Sequence, residues 1–151
     1  MSEAWWAGRI RPIAIVVFRR ADGAVLVVPG LDEVKGQRFY RPLGGEIEFG
    51  ELAADAARRE LREEIDAEVA DLRLLGVFEN VFTYRGHDGH ELVWVFEGRF
   101  ADASMYEREV IEAREHDARF DAHWVPLDAF TPETPLYPDG LLGVLTIVDK
   151  L

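Results

Sequence analysis

Short β-branched runs open the chain. Ile10 to Phe18 and Val25 to Val28 flank Arg19-Arg20-Ala21-Asp22-Gly23, whose Asp-Gly pair is a turn signal, so the two runs are predicted to pair as a hairpin. Gly30 to Arg38 is polar and reads as a loop. Phe39 to Leu43 reads as a further short strand ending at Gly44-Gly45, where the backbone can take conformations closed to other residues. From Glu51 to Ile65 the apolar spacing becomes three and four, which predicts a helix. Leu72 to Tyr84 and Glu91 to Phe100 are again β-rich, around Arg85-Gly86-His87-Asp88-Gly89, and form a second predicted hairpin. Residues 101 to 121 are polar and show no period that assigns them. His123-Trp124-Val125 reads as a last strand closed by Pro126, and Leu141 to Leu151 as a C-terminal apolar helix behind Pro138-Asp139-Gly140. Strands and helices that alternate without a repeat predict a mixed sheet covered by helices on its faces. With 151 residues, one domain over 1–151 is expected.

On a helical wheel at roughly 100° per residue, residues 51 to 65 separate into three sectors. Ala54, Ala57, Leu61 and Ile65 form a stripe suited to packing on a sheet, and Asp55, Arg58 and Arg62 face solvent. Between them lie Glu60, Glu63 and Glu64, with Ala53 and Ala56 in the same arc, small enough to leave room for a substrate. Like charges three and four residues apart cost roughly 0.2–0.5 kcal/mol per pair. The C-terminal half of a helix also disfavours anions, and Asp66 adds one more just beyond. Folding supplies no reason for this placement. A solvated acidic face is the bland explanation of such a run. A hard divalent cation explains the placement, because oxygen ligands on one helix face form part of a magnesium coordination sphere and leave the rest to water and phosphate.

Composition narrows the function. The formal net charge of −12 argues against a general nucleic-acid or anionic-membrane surface, while leaving room for a small anionic substrate bridged by metal. There is no cysteine, hence no disulfide framework and no thiolate zinc site. No apolar run is long enough to cross a bilayer and Met1 to Ile10 lacks signal-peptide character, so a cytoplasmic protein is expected.

From Gly45 the chain runs Gly45, five residues, Glu51, seven residues, Arg59-Glu60-Leu61, one residue, Glu63-Glu64, within a stretch of 23 residues. This spacing resembles the Nudix box of the MutT-like Nudix hydrolase superfamily. One position departs from the pattern: Asp66-Ala67 stands where the family usually has glycine. That glycine serves best as a left-handed helix cap, a conformation Asp tolerates, so the departure is expected to touch the cap more than the metal ligands. The approach Phe39-Tyr40-Arg41-Pro42-Leu43-Gly44-Gly45 and the late Trp124-Val125-Pro126-Leu127-Asp128 are similar to other members' segments. The resemblance implies an α/β/α sandwich with a mixed β-sheet, Mg2+ or Mn2+ as cofactor, and hydrolysis of a diphosphate bond in a nucleotide-like small molecule. It implies that Glu60, Glu63 and Glu64 bind metal together with the carbonyl of Gly44, and that Arg59 and Glu51 orient the glutamates. A homodimer is common in the superfamily and is kept as an expectation.

An additional base or ligand often lies on a later loop in this family. Glu112, Glu115 and Asp117 are the candidates, Glu115 the preferred one, with Glu91 as a further option. Arg38 and Arg41 could hold a phosphate through planar, charge-assisted hydrogen bonds, and Tyr84, Phe82 and Trp94 could stack on a ring, although such side chains are also ordinary loop charges and core aromatics. His87 and His90 lack a third nitrogen or sulfur ligand for zinc. Two rival functions remain: an isoprenoid diphosphate isomerase-like enzyme, which the absence of cysteine disfavours, and a non-catalytic ligand sensor of the same fold, which the retained glutamates disfavour.

Overall fold

The computed structural model describes residues 4–149. The order is β1 (Ile10–Phe18), β2 (Val25–Asp32), β3 (Gln37–Arg41), β4 (Leu43–Glu46), α1 (Ala53–Ile65), β5 (Val69–Tyr84), β6 (His87–Phe100), β7 (Val110–Glu115), β8 (Ala118–Val125) and α2 (Leu141–Asp149). Two four-stranded sheets form, in the orders β4-β1-β6-β5 and β3-β2-β8-β7. The first is mixed, because β1 runs parallel to β6 and antiparallel to β4.

β1 and β2 do not make the expected hairpin. Gly23, at φ +90, closes a tight turn in which its N–H bonds Arg20 O and the Arg20 N–H bonds Ala24 O. Only the bridge Arg19↔Val25 joins the two runs. They then part, since both are apolar on both faces and each gains more as a sheet interior: β1 between β4 and β6, β2 between β3 and β8. The predicted strand Phe39 to Leu43 is likewise two strands. Pro42, which has no N–H to give a ladder, ends β3 beside β2 and lets the chain cross to β4 beside β1.

The second hairpin forms, with a shorter loop than expected. Arg85 and Gly86 both have positive φ, so a two-residue turn suffices and His87 to Gly89 pair with Phe82 to Tyr84. Residues 101 to 121, unassigned from sequence, hold a 3-10 turn, Ala103–Glu107, and then β7 with the start of β8. In β7 only Ile111 and Ala113 are buried, between exposed Val110, Glu112 and Arg114, which leaves too short an apolar alternation to stand out. α2 begins at Leu141 as expected, and its predicted last two residues lie outside the described ones.

Each sheet face carries its own core. Ala14, Val16, Phe18, Leu26 and Trp124 pack with Ala57 and Leu61 of α1, whereas Ile13, Ile15, Val17, Val25 and Val27 pack with Leu141 and Leu145 of α2. Helices therefore cover both faces, as the α/β/α expectation requires. The stripe on α1 is wider than the wheel indicated. Ala56 is fully buried in the core, so it opens no space for a substrate, and Ala53 is partly buried against that core. No described helix is long and apolar enough to cross a membrane.

Candidate active site

β4 seats α1 through two glycines. Gly44 has φ +150, and a Cβ there would lie 2.1 Å from the carbonyl oxygen of Ala14. At Gly45 a Cβ would meet Glu60 Cδ at 2.4 Å. Larger residues at these positions would push β4 off β1 and displace the Glu60 carboxylate.

Arg59 holds the acidic edge of α1 in place. Its Nε and Nη2 donate to the two carboxylate oxygens of Glu51 at 2.7 and 2.9 Å, and Nη2 also donates to the main-chain carbonyl of Glu46 at 3.0 Å. Nη1 donates to Glu60 Oε1 at 3.0 Å and to Glu63 Oε2 at 3.2 Å. One planar fork thus links the loop before the helix to two carboxylates on it, a geometry that Arg suits and Lys does not. Glu51 in turn accepts the Glu48 N–H at 3.1 Å. The Arg59 hydrogen bonds hold the Glu51 carboxyl below its ordinary range.

Glu64 is different. It is 3% exposed, its Oε1 accepts the Gly44 N–H at 3.0 Å, and its Oε2 is buried without a hydrogen-bond partner. Burial pushes its pKa up to about 8; Arg41 and the Gly44 N–H oppose this, while Glu60 and Glu115 add to it. Burial also raises Glu60, against the pull of Arg59.

A cavity of about 200 Å3 opens beside the C-terminal half of α1, lined by Glu60, Glu63, Glu64, Arg114, Glu115 and His116. The β7–β8 turn, where His116 has φ +53, brings the last three residues there. Arg114 Nε donates to the main-chain carbonyl of Glu63 at 3.3 Å, a cation at a helix C-terminus. Arg41 Nη2 lies 3.9 Å from Glu115 Oε2, and its charge reaches Glu64 and Glu91 as well.

Of the later acidic candidates, Glu115 joins the cavity. Glu112 is exposed and paired with Arg119 at 3.1 Å, and Asp117 is exposed in the turn. Glu91 lies at the margin: burial raises its pKa, Arg11 Nη1 donates to it at 3.2 Å, and Asn80 faces it across β5 and β6. Arg38 and Arg41, three residues apart on β3, point to opposite faces, so only Arg41 joins the carboxylates. Tyr84 sits at the tip of the β5–β6 hairpin, edge-on to Phe39, with its hydroxyl on the carbonyl of Leu31 at 3.4 Å. Phe82 stacks on Trp6, and Trp94 packs against the core under α1. His90 bonds Glu79 while His87 lies edge-on to Trp6.

Sequence reasoning missed Arg114, His116 and the Glu46 carbonyl. The first two sit in the stretch without periodicity, and a main-chain acceptor leaves no mark in residue types. The donor set fits a hard cation: three carboxylates on one helix edge, one with a buried oxygen lacking a partner. Among the described residues no three His, Cys, Asp or Glu side chains cage an ion by themselves.

Comparison with known proteins bears on the family and the fold. The NUDIX domain family matches residues 9–141. An NAD-capped RNA hydrolase NudC of Pseudomonas aeruginosa is 30% identical over 129 residues, which cover 82% of this chain and 39% of that protein. The chain therefore spans about two fifths of that relative's length. Among solved structures, a MutT NUDIX hydrolase from Burkholderia pseudomallei superimposes with a TM-score of 0.63 at 21% identity, covering 90% of this chain and 96% of that one. A NUDIX hydrolase from Nitrosomonas europaea gives 0.57 at 19% identity, covering 80% and 75%. The match over most of the chain, on a fold with helices over both sheet faces and a box helix edged with glutamates, places the chain in the Nudix hydrolase family.

Proposed function

We propose that the protein uses Mg2+ or Mn2+ to hydrolyse a diphosphate bond in a nucleoside diphosphate linked to another moiety, as in a nucleoside triphosphate, ADP-ribose or a nucleotide sugar. The observation that carries this reading is Glu64, a buried carboxylate with one oxygen left without a partner, at the wall of a cavity that Glu60, Glu63 and Glu115 also line. A group buried in that state costs stability unless something binds it.

Glu60, Glu63 and Glu64 would hold the ion, with the Gly44 carbonyl at the head of α1's seat. When bound, it neutralises phosphate oxygens and lowers the pKa of water. Arg59 and Glu51 fix the rotamers of the ligating carboxylates. Glu115 stands where it can take a proton from the attacking water, and Arg41 can hold a phosphate oxygen through its planar fork. The cavity of about 200 Å3 suits a phosphate group.

The test is a panel of nucleoside triphosphates, ADP-ribose, nucleotide sugars, dinucleoside polyphosphates and NAD, each with magnesium, with manganese and with excess chelator. Phosphate, diphosphate and nucleoside monophosphate are scored separately. Hydrolysis that needs the ion and stops with chelator is expected; undiminished turnover in chelator would remove the metal from the reading. The activity of the NudC relative adds NAD-capped RNA to the panel, where the net charge of −12 favours the small molecules over the long strand. Sedimentation of the same protein tests the homodimer.

A further inference from the structure

The β7–β8 turn enters the carboxylate cavity against like charge. Ile111 and Ala113 point into the core shared with α1, and Glu115, next on that face of β7, comes out where its charge reaches both Glu60 and Glu64. A fourth carboxylate is thereby brought to three others on the walls of one small cavity. Coulomb repulsion favours a turn that swings away to solvent, and Glu115, His116 and Asp117 are exposed already. The turn needs a tether.

Among the described residues one direct hydrogen bond joins this turn to α1, from Arg114 Nε to the Glu63 main-chain carbonyl at 3.3 Å. That carbonyl is open because the helix ends on its cap, where the Asp66 N–H turns to Arg62 O and the Ala67 N–H to Leu61 O. Within the hairpin Arg114 stands opposite Arg119, a like-charge pair that costs stability. Arg119 pairs with Glu112 at 3.1 Å, and Arg114 reaches out to the helix instead. The hairpin by itself gives no reason for an arginine at 114. Glu63 is thus fixed twice, its carboxylate by Arg59 and its carbonyl by Arg114. Arg41 Nη2, at 3.9 Å from Glu115 Oε2, is too far to add a hydrogen bond.

We propose that Arg114 is a positioning residue for the reaction: by docking the β7–β8 turn on the C-terminal end of α1, it keeps Glu115 at the glutamates against their repulsion. This rests on the hydrolase reading for the role of Glu115. The tether sits one residue from the carboxylate it places, in a two-residue turn tightened by His116 at φ +53, so little slack separates them.

The test has two readouts. The chain has no cysteine, so Asp117→Cys, in the turn and outside the cavity walls, takes a nitroxide label at a single position. Its electron paramagnetic resonance line shape should broaden less, showing freer motion, when Arg114→Ala is added, and Arg114→Lys, which keeps a donor and a charge, should restore part of the constraint. The second readout is a double-mutant cycle on kcat. Arg114→Ala alone should lower kcat by roughly tenfold with little change in KM, and in a Glu115→Gln background it should change kcat by less than about twofold, since a residue acting through another loses its effect once that one is gone. Arg114→Met, which keeps the stem without the donor, decides the matter if Arg114→Ala does not fold. An unchanged line shape, a raised KM at constant kcat, or a loss that persists in full beside Glu115→Gln would overturn the proposal. If the label loosens and no diphosphate is hydrolysed, the catalytic reading fails and the docking stands; if metal-dependent hydrolysis occurs with the label unchanged, the tether fails alone.

Discussion

Two carboxylates in this molecule are almost equally hidden, Asp32 at 2% exposure and Glu64 at 3%, and their surroundings are opposite. Asp32 accepts the N–H groups of Val34 and Lys35 in its own turn, and that of Arg85 from the β5–β6 turn. Burial pushes its pKa up, but these three donors outweigh burial and hold it below its ordinary value. Glu64 accepts one N–H, keeps one oxygen without a partner, and rises to about 8. Asp32 clasps the tips of two hairpins that belong to different sheets. Burial therefore does not by itself mark a functional carboxylate, and it is the unpartnered oxygen of Glu64 that supports the metal-binding role proposed for it.

The largest expected break in this comparison is catalytic. Glu64→Gln should lower kcat/KM on the order of a hundredfold or more, because a neutral amide neither holds the cation nor helps place water. In chelator its melting temperature should match or exceed the parent's. An active Glu64→Gln, or one destabilised without metal, would make Glu64 a second Asp32. Arg59→Ala should lower kcat by roughly 10- to 100-fold with a smaller rise in KM, as expected of a residue that orients ligands. Raised KM with unchanged kcat would move Arg59 into substrate binding.

Asp32 should show the reverse profile. Asp32→Ala leaves three N–H donors of two turns without their acceptor and should lower the melting temperature by roughly 5–10 °C, with kcat at low temperature close to the parent's. A loss of kcat without a loss of stability would mean that the clasp serves the site directly.

The two groups also bias stability toward opposite ends of the pH scale. The folded pKa of Asp32 is depressed, so its contribution is present above the ordinary value of 3.8 and is lost as pH falls through the folded value. Glu64 is raised, so its contribution is fully present below 4.5 and is lost as pH rises toward about 8. In chelator, urea denaturation should show the parent losing ground to Glu64→Gln between these pH values, by a few kcal/mol at most. Magnesium should reverse the trend, because the ion competes with the proton. A constant difference across that range would place Glu64 in contact with water.

Much of this was legible in the sequence, and for definite reasons. The edge of α1 was readable because like charges at spacings of three and four oppose both their neighbours and the helix dipole. Arg59 was readable through its distance from Glu63. The Asp32 clasp was not: its donors are main-chain groups, one from a turn 53 residues away. Ala56 was placed in the wrong sector because a wheel gives directions and not depth, and α1 is covered on more than its apolar stripe by β4 and β7. The pairing of β1 with β6 was hidden for a similar reason, since strands apolar on both faces carry no register signal of their own.

The smallest expected effect lies at the end of the helix that carries Glu64. Asp66 has φ 53 and ψ 41, the left-handed cap anticipated where the family has glycine; its N–H bonds Arg62 O at 3.0 Å and the Ala67 N–H reaches Leu61 O at 3.4 Å. The backbone bonds of the motif are thus made without glycine. Two costs remain, the steric strain of a Cβ in this region and a negative charge at the negative end of the helix dipole. Asp66→Gly removes both and adds chain entropy to the unfolded state, which leaves a net gain of roughly 0.5–1 kcal/mol. Asp66→Asn removes only the charge and should give a smaller part of that gain. Neither should change kcat, because Asp66 is exposed and lies outside the residues around the carboxylate cavity. Urea denaturation of the three proteins side by side reads the order directly, and a destabilised Asp66→Gly would mean that the Asp66 carboxylate, rather than the bare backbone conformation, ends the helix.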